Sequence, residues 1–337
     1  MSASAPGKLF LFGEYAVLAT GWAVVAGTDR RVFARTRPDT EGYRVEGARF
    51  VASDSLPRAA ARAAGLDEAL VDSLTTDVAQ LYHDGVKLGL GSSAASTIAS
   101  LATLSPGASA PSLFDAAFRA HREIQSGRGS GADVASSIYG GLIAYRLVEP
   151  QHPFPRLAVS GIAPPLAVKS PAEISTGLSW PDTLSVRPVW LGAPASSSQL
   201  IGRVEEALER SPDEITSCLH EIAGVSLEVI SCLLSEERGR AEVLLELVGR
   251  GDRAMEQLSD ASGASIVIDA HRRLREHAAR FGAVCKPSGA GGGDFSLIFA
   301  PIGTDWAELE ATAPEGVYFP DVTLFGPGVA GPREPAP

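Results

Sequence analysis

The sequence predicts an α+β protein with two domains. Strand-like segments occupy the start of the chain and helical segments follow them, which is the order expected of an α+β domain. A long helical block, residues 197–281, is again followed by strand-like segments. The length of 337 residues exceeds the usual size of one domain and allows a sizeable core in each of two. We place the boundary near residue 185, which gives domains over residues 1–185 and 186–325.

The first domain is predicted to begin with short strands. Apolar residues Leu9–Phe12 follow Lys8, and Gly13 and Glu14 then favour a turn. The Ala-rich stretch Leu56–Tyr82 has helical spacing and ends before the turn-forming pair Asp84 and Gly85. β-branched and aromatic residues predict three further strands in this domain. The predicted strands are Trp22–Ala26, Arg31–Thr36 and Tyr43–Val51.

Helical segments alternate with Gly-rich loops in the rest of this domain. Apolar periodicity predicts helices over residues 93–104 and 112–125. A second Gly-Ser loop lies between Gln125 and Asp133, and residues 138–147 are predicted to form a strand interrupted by two glycines. A Pro-rich passage with short strand-like pieces then leads into the second domain.

The second domain is predicted to open with the strand Val186–Leu191. The helical block 197–281 is expected to contain three or four helices, with breaks near Ser211-Pro212 and Gly249–Gly251. A third Gly-rich loop, Ser288–Gly293, precedes strands over residues 295–300 and 316–325. Residues 326–337 have little to bury and are predicted to form a disordered tail.

Composition argues against several classes of protein. Acidic residues outnumber basic ones by 40 to 29 and the net charge is -11, so we expect no nucleic-acid partner. The amino terminus lacks the charged and apolar regions of a signal peptide, and no apolar run reaches the roughly 18 to 20 residues of a membrane span. We therefore expect a cytoplasmic protein that does not enter a membrane. The three cysteines are widely spaced, which favours reduced thiols over disulfides or a zinc site.

A central Gly-Ser segment carries the strongest local signal for function. Residues 87–96 run directly into an apolar helical pattern. Small residues let the backbone approach a ligand, and a helix amino terminus offers free N–H groups and the positive end of a dipole. This combination is typical of a phosphate cradle, although a simple structural turn fits the same residues. The chain contains no Gly-x4-Gly-Lys-Ser/Thr loop, and the third Gly of the dinucleotide fingerprint is absent here.

Three segments in order resemble the motifs of the GHMP kinases. They are Ala5–Leu18, Gly89–Ala95 and Lys286–Asp294. The chain is therefore similar to a superfamily that includes galactokinase, homoserine kinase, mevalonate kinase and phosphomevalonate kinase. The resemblance implies the two-domain GHMP kinase fold, with an N-terminal domain like domain 2 of ribosomal protein S5 and a C-terminal ferredoxin-like α+β domain.

Within the superfamily the sequence resembles the phosphomevalonate kinase branch. Tyr15 stands where mevalonate kinases usually have His, and residues 121–135 are similar to the Gly-Ser-Gly-x-Asp signature of that branch. The resemblance implies Mg²⁺- and ATP-dependent phosphorylation of 5-phosphomevalonate to 5-diphosphomevalonate, a step of isoprenoid precursor biosynthesis, by a monomer or homodimer. The alternatives are a mevalonate kinase or another small-molecule GHMP kinase, and a catalytically silent sensor. Such sensors often lose the catalytic Asp, the Lys or the Gly-Ser loop, and this chain retains all three.

The resemblance also implies catalytic roles. Asp133 is the candidate general base, and Lys8 is expected to stabilise charge on the reacting oxygen. Ser93 is expected to place its hydroxyl on Mg²⁺. Read without the resemblance, Asp133 would be a helix cap, Lys8 a solvated strand end, and the two serines caps of the following helix. The nucleotide phosphates are assigned to Gly89, Leu90, Gly91, Ser92, Ser93, Ala94 and Ala95.

A phosphorylated acceptor requires basic residues beyond Lys8. Lys286 and Lys169 are additional basic candidates, whereas Glu123 is interpreted as an exposed helix carboxylate. The third Gly-rich loop is expected to close over the phosphates or the acceptor, and the alternative is a flexible strand connection. The candidate acceptor-binding residues are Glu14, Tyr15, Lys87, Arg128, Ser130, Ser288, Gly289, Ala290 and Gly291.

Overall fold

The computed structural model describes residues 1–37, 42, 44–46, 54–125, 127, 129–158, 171–192 and 194–331. The chain divides into two compact units, and each is built from separate stretches of sequence. The first comprises Met1–Leu9, Val25–Ile143 and Thr323–Pro337, and the second comprises Phe10–Val24 and Ala144–Val322. This division differs from the predicted single boundary near residue 185. The reason is that three strands begin in one unit and end in the other.

The first unit contains a sheet and a short hairpin. Its strands are β1 (Ser2–Phe12), β2 (Ala23–Thr36), β3 (Arg44–Glu46) and β4 (Leu74–Asp77), and the hairpin consists of β5 (Tyr82–His83) and β6 (Val86–Lys87). The order is β3-β4-β2, and β1 pairs with β2. β4 is antiparallel to β2 and parallel to β3. The two strands predicted over residues 22–36 form a single strand, β2. Within the predicted strand Tyr43–Val51, the structure describes β3 alone.

The helices of the first unit pack against one another. They are α1 (Ser55–Ala63), α2 (Ser92–Leu104), α3 (Ala110–Ile124) and α4 (Ala132–Tyr139). The predicted helices over residues 93–104 and 112–125 are confirmed. The predicted helix Leu56–Tyr82 is wrong beyond Ala63, because Gly65 turns the chain at a φ of 75° and the β-branched pair Thr75 and Thr76 joins β4. Helix α4 was not predicted.

The second unit contains two antiparallel arrangements of strands. β7 (Leu142–Leu147) pairs with β8 (Ala172–Ser175). A three-stranded sheet has the order β10-β11-β9, formed by β10 (Val284–Ser288), β11 (Phe295–Pro301) and β9 (Leu184–Trp190). Its register pairs Ser288 with Phe295, so the third Gly-rich loop is the connection between β10 and β11.

Four helices fill the predicted helical block, and a fifth follows the sheet. They are α5 (Ser197–Arg210), α6 (Pro212–Leu234), α7 (Arg240–Ser262), α8 (Asp269–Ala279) and α9 (Trp306–Ala311). The predicted break at Ser211 is confirmed. The predicted break at Gly249–Gly251 is wrong, because α7 continues through both glycines. Its packing against α6 and β10 outweighs their weak helix propensity.

A buried polar network joins α7 and α8 to β11. His271 lies 2.6 Å from the Ser296 hydroxyl through Nδ1 and 2.8 Å from the Asp252 carboxylate through Nε2. Arg275 donates to the other Asp252 oxygen at 2.8 Å. The order Ser-His-Asp matches that of a hydrolase triad, but Ser296, His271 and Asp252 are 0%, 1% and 3% exposed. No substrate reaches such a site, so the network stabilises the fold.

Helix α6 is, among the residues described, the one helix long and apolar enough to cross a membrane. In its most apolar stretch, 56% of the residues are buried inside the protein. The core helix of a globular protein has the same length and composition, so this observation is weak evidence for a membrane span.

The end of the chain is ordered further than predicted. The expected strand over residues 316–325 is present only as isolated bridges that pair Tyr318 with Trp190 and Leu324 with Thr28. The prediction of a disordered tail from residue 326 is wrong for residues 326–330, because Ala330 and Ser4 exchange backbone hydrogen bonds at 2.9 and 3.1 Å. Residues 332–337 lie outside the described residues.

Candidate active site

The Gly-Ser loop leads from β6 into α2 in the first unit. Gly89 and Gly91 adopt φ angles of 77° and 78°, which glycine tolerates more readily than other residues. Gly91 is the N-cap of α2, so the first N–H groups of the helix have no acceptor inside the helix. The backbone N–H of Lys8 donates to the Leu90 carbonyl at 2.8 Å, which ties the loop to β1. The loop therefore presents a helix amino terminus of the kind that binds phosphate groups.

The two serines of the loop differ in exposure. Ser92 is 6% exposed, whereas Ser93 is on the surface at the start of α2. Neither hydroxyl forms a hydrogen bond with any residue that the structure describes, and the cap position belongs to Gly91. The structure therefore contradicts the alternative in which both serines cap the helix. The exposed Ser93 hydroxyl is available to a ligand.

Asp133 lies in the first turn of α4, after a second left-handed glycine cap. Gly131 has a φ of 73°, and the Ser130 hydroxyl accepts a hydrogen bond from the Ala132 N–H at 3.3 Å. One carboxylate oxygen of Asp133 accepts a hydrogen bond from the Val134 N–H at 2.9 Å. The positive end of the helix dipole stabilises the charged carboxylate at this position. Asp133 is partly exposed, so the carboxylate can meet a bound molecule.

Lys8 lies on β1, and its side chain runs across the Gly-Ser loop. A Cβ placed on Gly91 would meet Lys8 Cγ at 3.0 Å and Cε at 3.3 Å. Two residues before Lys8, the Pro6 carbonyl accepts a hydrogen bond from the Ser137 hydroxyl of α4 at 3.0 Å. The structure thus connects β1 both to the loop and to the helix that carries Asp133.

In the second unit, Glu14 and Lys286 form a buried ion pair. Lys286 Nζ lies 2.6 Å from Glu14 Oε1, and the two side chains are 1% and 2% exposed. Nζ also donates to the Pro287 carbonyl at 2.6 Å and sits 5.5 Å from the centre of the Phe12 ring. Lys286 was a candidate for binding an acceptor phosphate, and its complete burial against Glu14 contradicts that prediction. The pair joins the first and third motifs. The sequence around either residue does not predict the other as its partner.

Tyr15 makes a second connection between these motifs. Its hydroxyl donates to the Ala290 carbonyl at 2.7 Å. Burial, and to a lesser extent the neighbouring Glu14 carboxylate, raises the pKa of the Tyr15 hydroxyl well above its ordinary value of 10. The phenol therefore remains protonated and keeps donating to the loop throughout the physiological range.

The third Gly-rich loop is held at both of its ends. The Ser288 hydroxyl donates to the Phe10 carbonyl at 2.8 Å, and the Gly292 N–H donates to the Ile266 carbonyl at 2.9 Å. Gly291 has a φ of 77° and lies so close to Ile266 that a Cβ would meet its carbonyl oxygen at 2.3 Å. Gly289 has open space around it. These contacts argue against a merely flexible connection between β10 and β11.

The remaining candidates are more peripheral. Lys87 is exposed on β6, opposite Tyr82 in the hairpin. Glu123 is 55% exposed and pairs with Arg62 at 2.6 Å, which confirms its interpretation as an exposed helix carboxylate. Arg128 and Lys169 lie outside the described residues, so their assignment as phosphate-binding residues stays a prediction.

Comparison with known proteins finds a family match for part of the chain and a similar fold for most of it. Residues 61–141 match the family described as GHMP kinases N terminal domain. The fold is similar to that of a solved structure, Streptococcus pneumoniae phosphomevalonate kinase in complex with phosphomevalonate and AMPPNP, with a TM-score of 0.74 over 96% of this chain and 99% of that chain at 18% identity. The chain is therefore similar to the GHMP kinases over residues 61–141 and in its fold. The predicted GHMP kinase fold is confirmed.

Two curated relatives are similar to most of this chain. Phosphomevalonate kinase of Streptomyces sp. (strain CL190) is 29% identical over 87% of this chain and 88% of its own length. Phosphomevalonate kinase of Saccharolobus solfataricus is 25% identical over 95% of both chains. Mevalonate kinase of Aeropyrum pernix is 33% identical, but over 43% of this chain and 50% of its own length.

Substituting Gly91 by Ala tests the placement of Lys8 across the Gly-Ser loop. The Cβ would displace the Lys8 side chain, and a misplacement of about 1 Å at a reacting centre costs up to about 10²-fold in rate. Gly65→Ala is the matched control, because Gly65 has a φ of 75° but nothing within 4 Å of a Cβ. Each substitution should cost about 1 to 2 kcal/mol of stability through backbone strain. We expect kcat to fall in Gly91→Ala alone, and equal rates in the two variants would contradict the placement.

Proposed function

We propose that the protein is an ATP-dependent phosphomevalonate kinase, which converts 5-phosphomevalonate and ATP to 5-diphosphomevalonate and ADP. The observation that carries this proposal is the similarity to a phosphomevalonate kinase along 87% of the chain. The sequence similarity to two curated mevalonate kinases covers less than half of the chain. The local geometry supports the transfer of a phosphoryl group, because a helix amino terminus with two left-handed glycines stands beside the strand that carries Lys8.

The phosphates of ATP are assigned to the loop Gly89–Ala95. The N–H groups at the start of α2 would donate to phosphate oxygens, and the helix dipole would favour their negative charge. Lys8, whose stem passes over Gly91, would add a positive charge on the same side of the loop. Phosphoryl transfer depends mainly on positioning and on charge stabilisation of this kind.

Mg²⁺ is assigned to the Ser93 hydroxyl together with oxygens of the bound phosphates. Ser93 fits such a role, since its hydroxyl is exposed and without a hydrogen bond to the described residues. Those residues contain no cluster of three or more His, Cys, Asp or Glu that could hold a metal ion, so an all-protein site is not available there. When bound, Mg²⁺ would neutralise negative charge that builds up on the phosphates.

Asp133 is assigned to the acceptor oxygen. A phosphate monoester has a second pKa of about 6, so the 5-phosphate of the acceptor has lost most of its protons at neutral pH. For most acceptor molecules no proton then has to be removed, and the main role of the carboxylate is to orient the acceptor oxygen. Below that pKa the acceptor arrives protonated, and Asp133 would accept its proton as a general base.

The acceptor-binding assignments are refined by the contacts of the second unit. Glu14 is neutralised by Lys286, and the Tyr15 hydroxyl is engaged by Ala290. We therefore assign Glu14 and Tyr15 to holding the third Gly-rich loop. The residues that remain proposed to bind the phosphorylated acceptor are Lys87, Arg128, Ser130, Ser288, Gly289, Ala290 and Gly291. Cytoplasmic localisation and a monomeric or homodimeric state also remain proposals.

ADP release with Mg²⁺ and ATP tests the function directly. Three reactions run in parallel, with 5-phosphomevalonate, with mevalonate and without an acceptor. We expect turnover with 5-phosphomevalonate alone, and Arg128→Ala should raise the KM for that acceptor. Turnover with mevalonate alone would overturn the assigned acceptor and keep the kinase. Nucleotide binding without turnover on either acceptor would favour the sensor.

A further inference from the structure

The segment Thr323–Ala330, which we call the C-terminal strap, belongs to the first unit. It forms backbone hydrogen bonds along its length. Gly326 bonds with Gly27 and Gly141 at 3.1 and 2.7 Å, and the Val329 N–H donates to the Ile138 carbonyl at 2.9 Å. Ala330 exchanges two bonds with Ser4 of β1. The strap therefore connects β2, the end of α4 and the start of β1.

The strap approaches these elements so closely that only glycine fits at several positions. A Cβ on Gly328 would meet the Ile138 carbonyl oxygen at 2.1 Å, and one on Gly326 would meet the Thr28 carbonyl oxygen at 2.1 Å. On the other side, a Cβ on Gly140 would meet the Gly328 nitrogen at 2.0 Å. Gly331, one residue past the strap, has nothing within 4 Å. The contact is thus between backbones, and one added methyl group would force them apart.

Arg31 of β2 forms hydrogen bonds with both the strap and β1. Its guanidinium donates to the Pro327 carbonyl at 2.7 Å and to the Gly328 carbonyl at 2.8 Å. It also donates to the carbonyl and to the hydroxyl of Ser4, both at 3.0 Å. A planar guanidinium can make these bonds together, whereas a Lys ammonium presents a single point charge.

The two elements held by the strap are those that carry the proposed catalytic pair. Ile138 lies five residues after Asp133 in α4, a helix about 12 Å long. Ser4 lies four residues before Lys8 in β1. The Ser137–Pro6 hydrogen bond joins the same helix and strand between these points. A shift of the strap would therefore move α4 against β1 and change the separation of Asp133 from Lys8.

We infer that the C-terminal strap and Arg31 position Asp133 and Lys8 for phosphoryl transfer. None of the strap residues is assigned a contact with ATP or the acceptor, so they are positioning residues. The inference rests on the proposed function for its catalytic readout. Its structural content, the fixing of α4 on β1, is testable without any substrate.

The experiment compares Gly328→Ala with Gly331→Ala in the full-length protein. The first measurement is hydrogen–deuterium exchange of the amides of α4 and β1 without ligands. We expect faster exchange of α4 in Gly328→Ala and wild-type exchange in Gly331→Ala. The second measurement is steady-state kinetics, in which kcat should fall by about 10- to 10²-fold in Gly328→Ala while the KM for ATP stays near the wild-type value.

Arg31→Lys provides a milder variant in case Gly328→Ala does not fold, and Arg35→Lys is its control because Arg35 is an exposed residue of the same strand. We expect kcat to fall in Arg31→Lys and not in Arg35→Lys. Unchanged α4 exchange and unchanged kcat in Gly328→Ala and Arg31→Lys would overturn the inference, as would a parallel rise in the KM for ATP with kcat unaffected. A wild-type protein without kinase activity would overturn the proposed function instead, and the exchange experiment would still decide the inference.

Discussion

Replacing Asp133 by Asn should lower kcat with 5-phosphomevalonate by about 10²- to 10⁴-fold, the range that general acid–base groups contribute. The amide keeps the size of the side chain and loses its charge and its capacity to accept a proton. The Gly-Ser loop and α2 do not depend on this side chain, so the affinity for ATP should stay near the wild-type value. ADP release gives kcat, and a titration with ATP gives the dissociation constant. Asp115→Asn is the control, because Asp115 is half exposed and pairs with Arg119 on α3.

The pH dependence of this deficit separates two roles of the carboxylate. The acceptor phosphate releases its last proton with a pKa of about 6. If Asp133 takes up that proton, the ratio of wild-type to mutant kcat should be largest below pH 6 and shrink as the pH rises through that value. The loss of kcat that remains in Asp133→Asn at higher pH measures how much the carboxylate contributes by orienting the acceptor. A ratio that does not change with pH would contradict the role of general base, and full activity of the variant would contradict the assignment of Asp133 altogether.

Local sequence patterns predicted the elements that depend on local interactions. Helices α2 and α3 and the α5–α8 block follow from apolar periodicity, and the Gly-Ser loop follows from its glycines and the helix behind it. The sequence does not predict β4, because Thr75 and Thr76 lie inside the stretch Leu56–Tyr82, whose Ala-rich composition and helical spacing favour a helix. Helix α4 was missed because its short sequence, after several glycines, resembles a loop and a strand.

The remaining features depend on residues that are far apart in sequence. Glu14 and Lys286 are separated by 272 positions, so no local pattern could pair them. The Gly- and Pro-rich end of the chain has the composition of a disordered tail, yet Gly326 and Gly328 permit a backbone contact with α4 and β2. The same composition can mean disorder or close packing, and only the tertiary fold distinguishes them. Asp133 and Lys8 could be assigned through their motifs, whereas the contacts that support their elements could not.

Breaking the buried Glu14–Lys286 ion pair of the second unit should strongly destabilise the protein. In Lys286→Met the carboxylate of Glu14 would be left buried without a counter-charge, and such losses cost about 3 to 5 kcal/mol. Glu14→Gln should have a cost in the same range, because the buried Lys286 ammonium would lose its counter-charge and keep only uncharged partners such as the Pro287 carbonyl and the face of Phe12. The free energy of unfolding in denaturant measures both effects. The exposed ion pair between Arg35 and Glu46 is the control. Its loss in Arg35→Met should lower the free energy of unfolding by at most about 1 kcal/mol.

The double variant Glu14→Gln/Lys286→Met decides whether the two side chains act on each other. Removing both charges also removes the penalty of an unpaired buried ion, so the double variant should be more stable than Lys286→Met alone. Additive losses would show that the residues act independently and would contradict the pairing. The pair also lies beside the Tyr15–Ala290 hydrogen bond, which reaches the middle of the third Gly-rich loop. If that loop serves the acceptor as proposed, Lys286→Met should raise the KM for 5-phosphomevalonate at temperatures where the variant is still folded, and the double variant should lower it again.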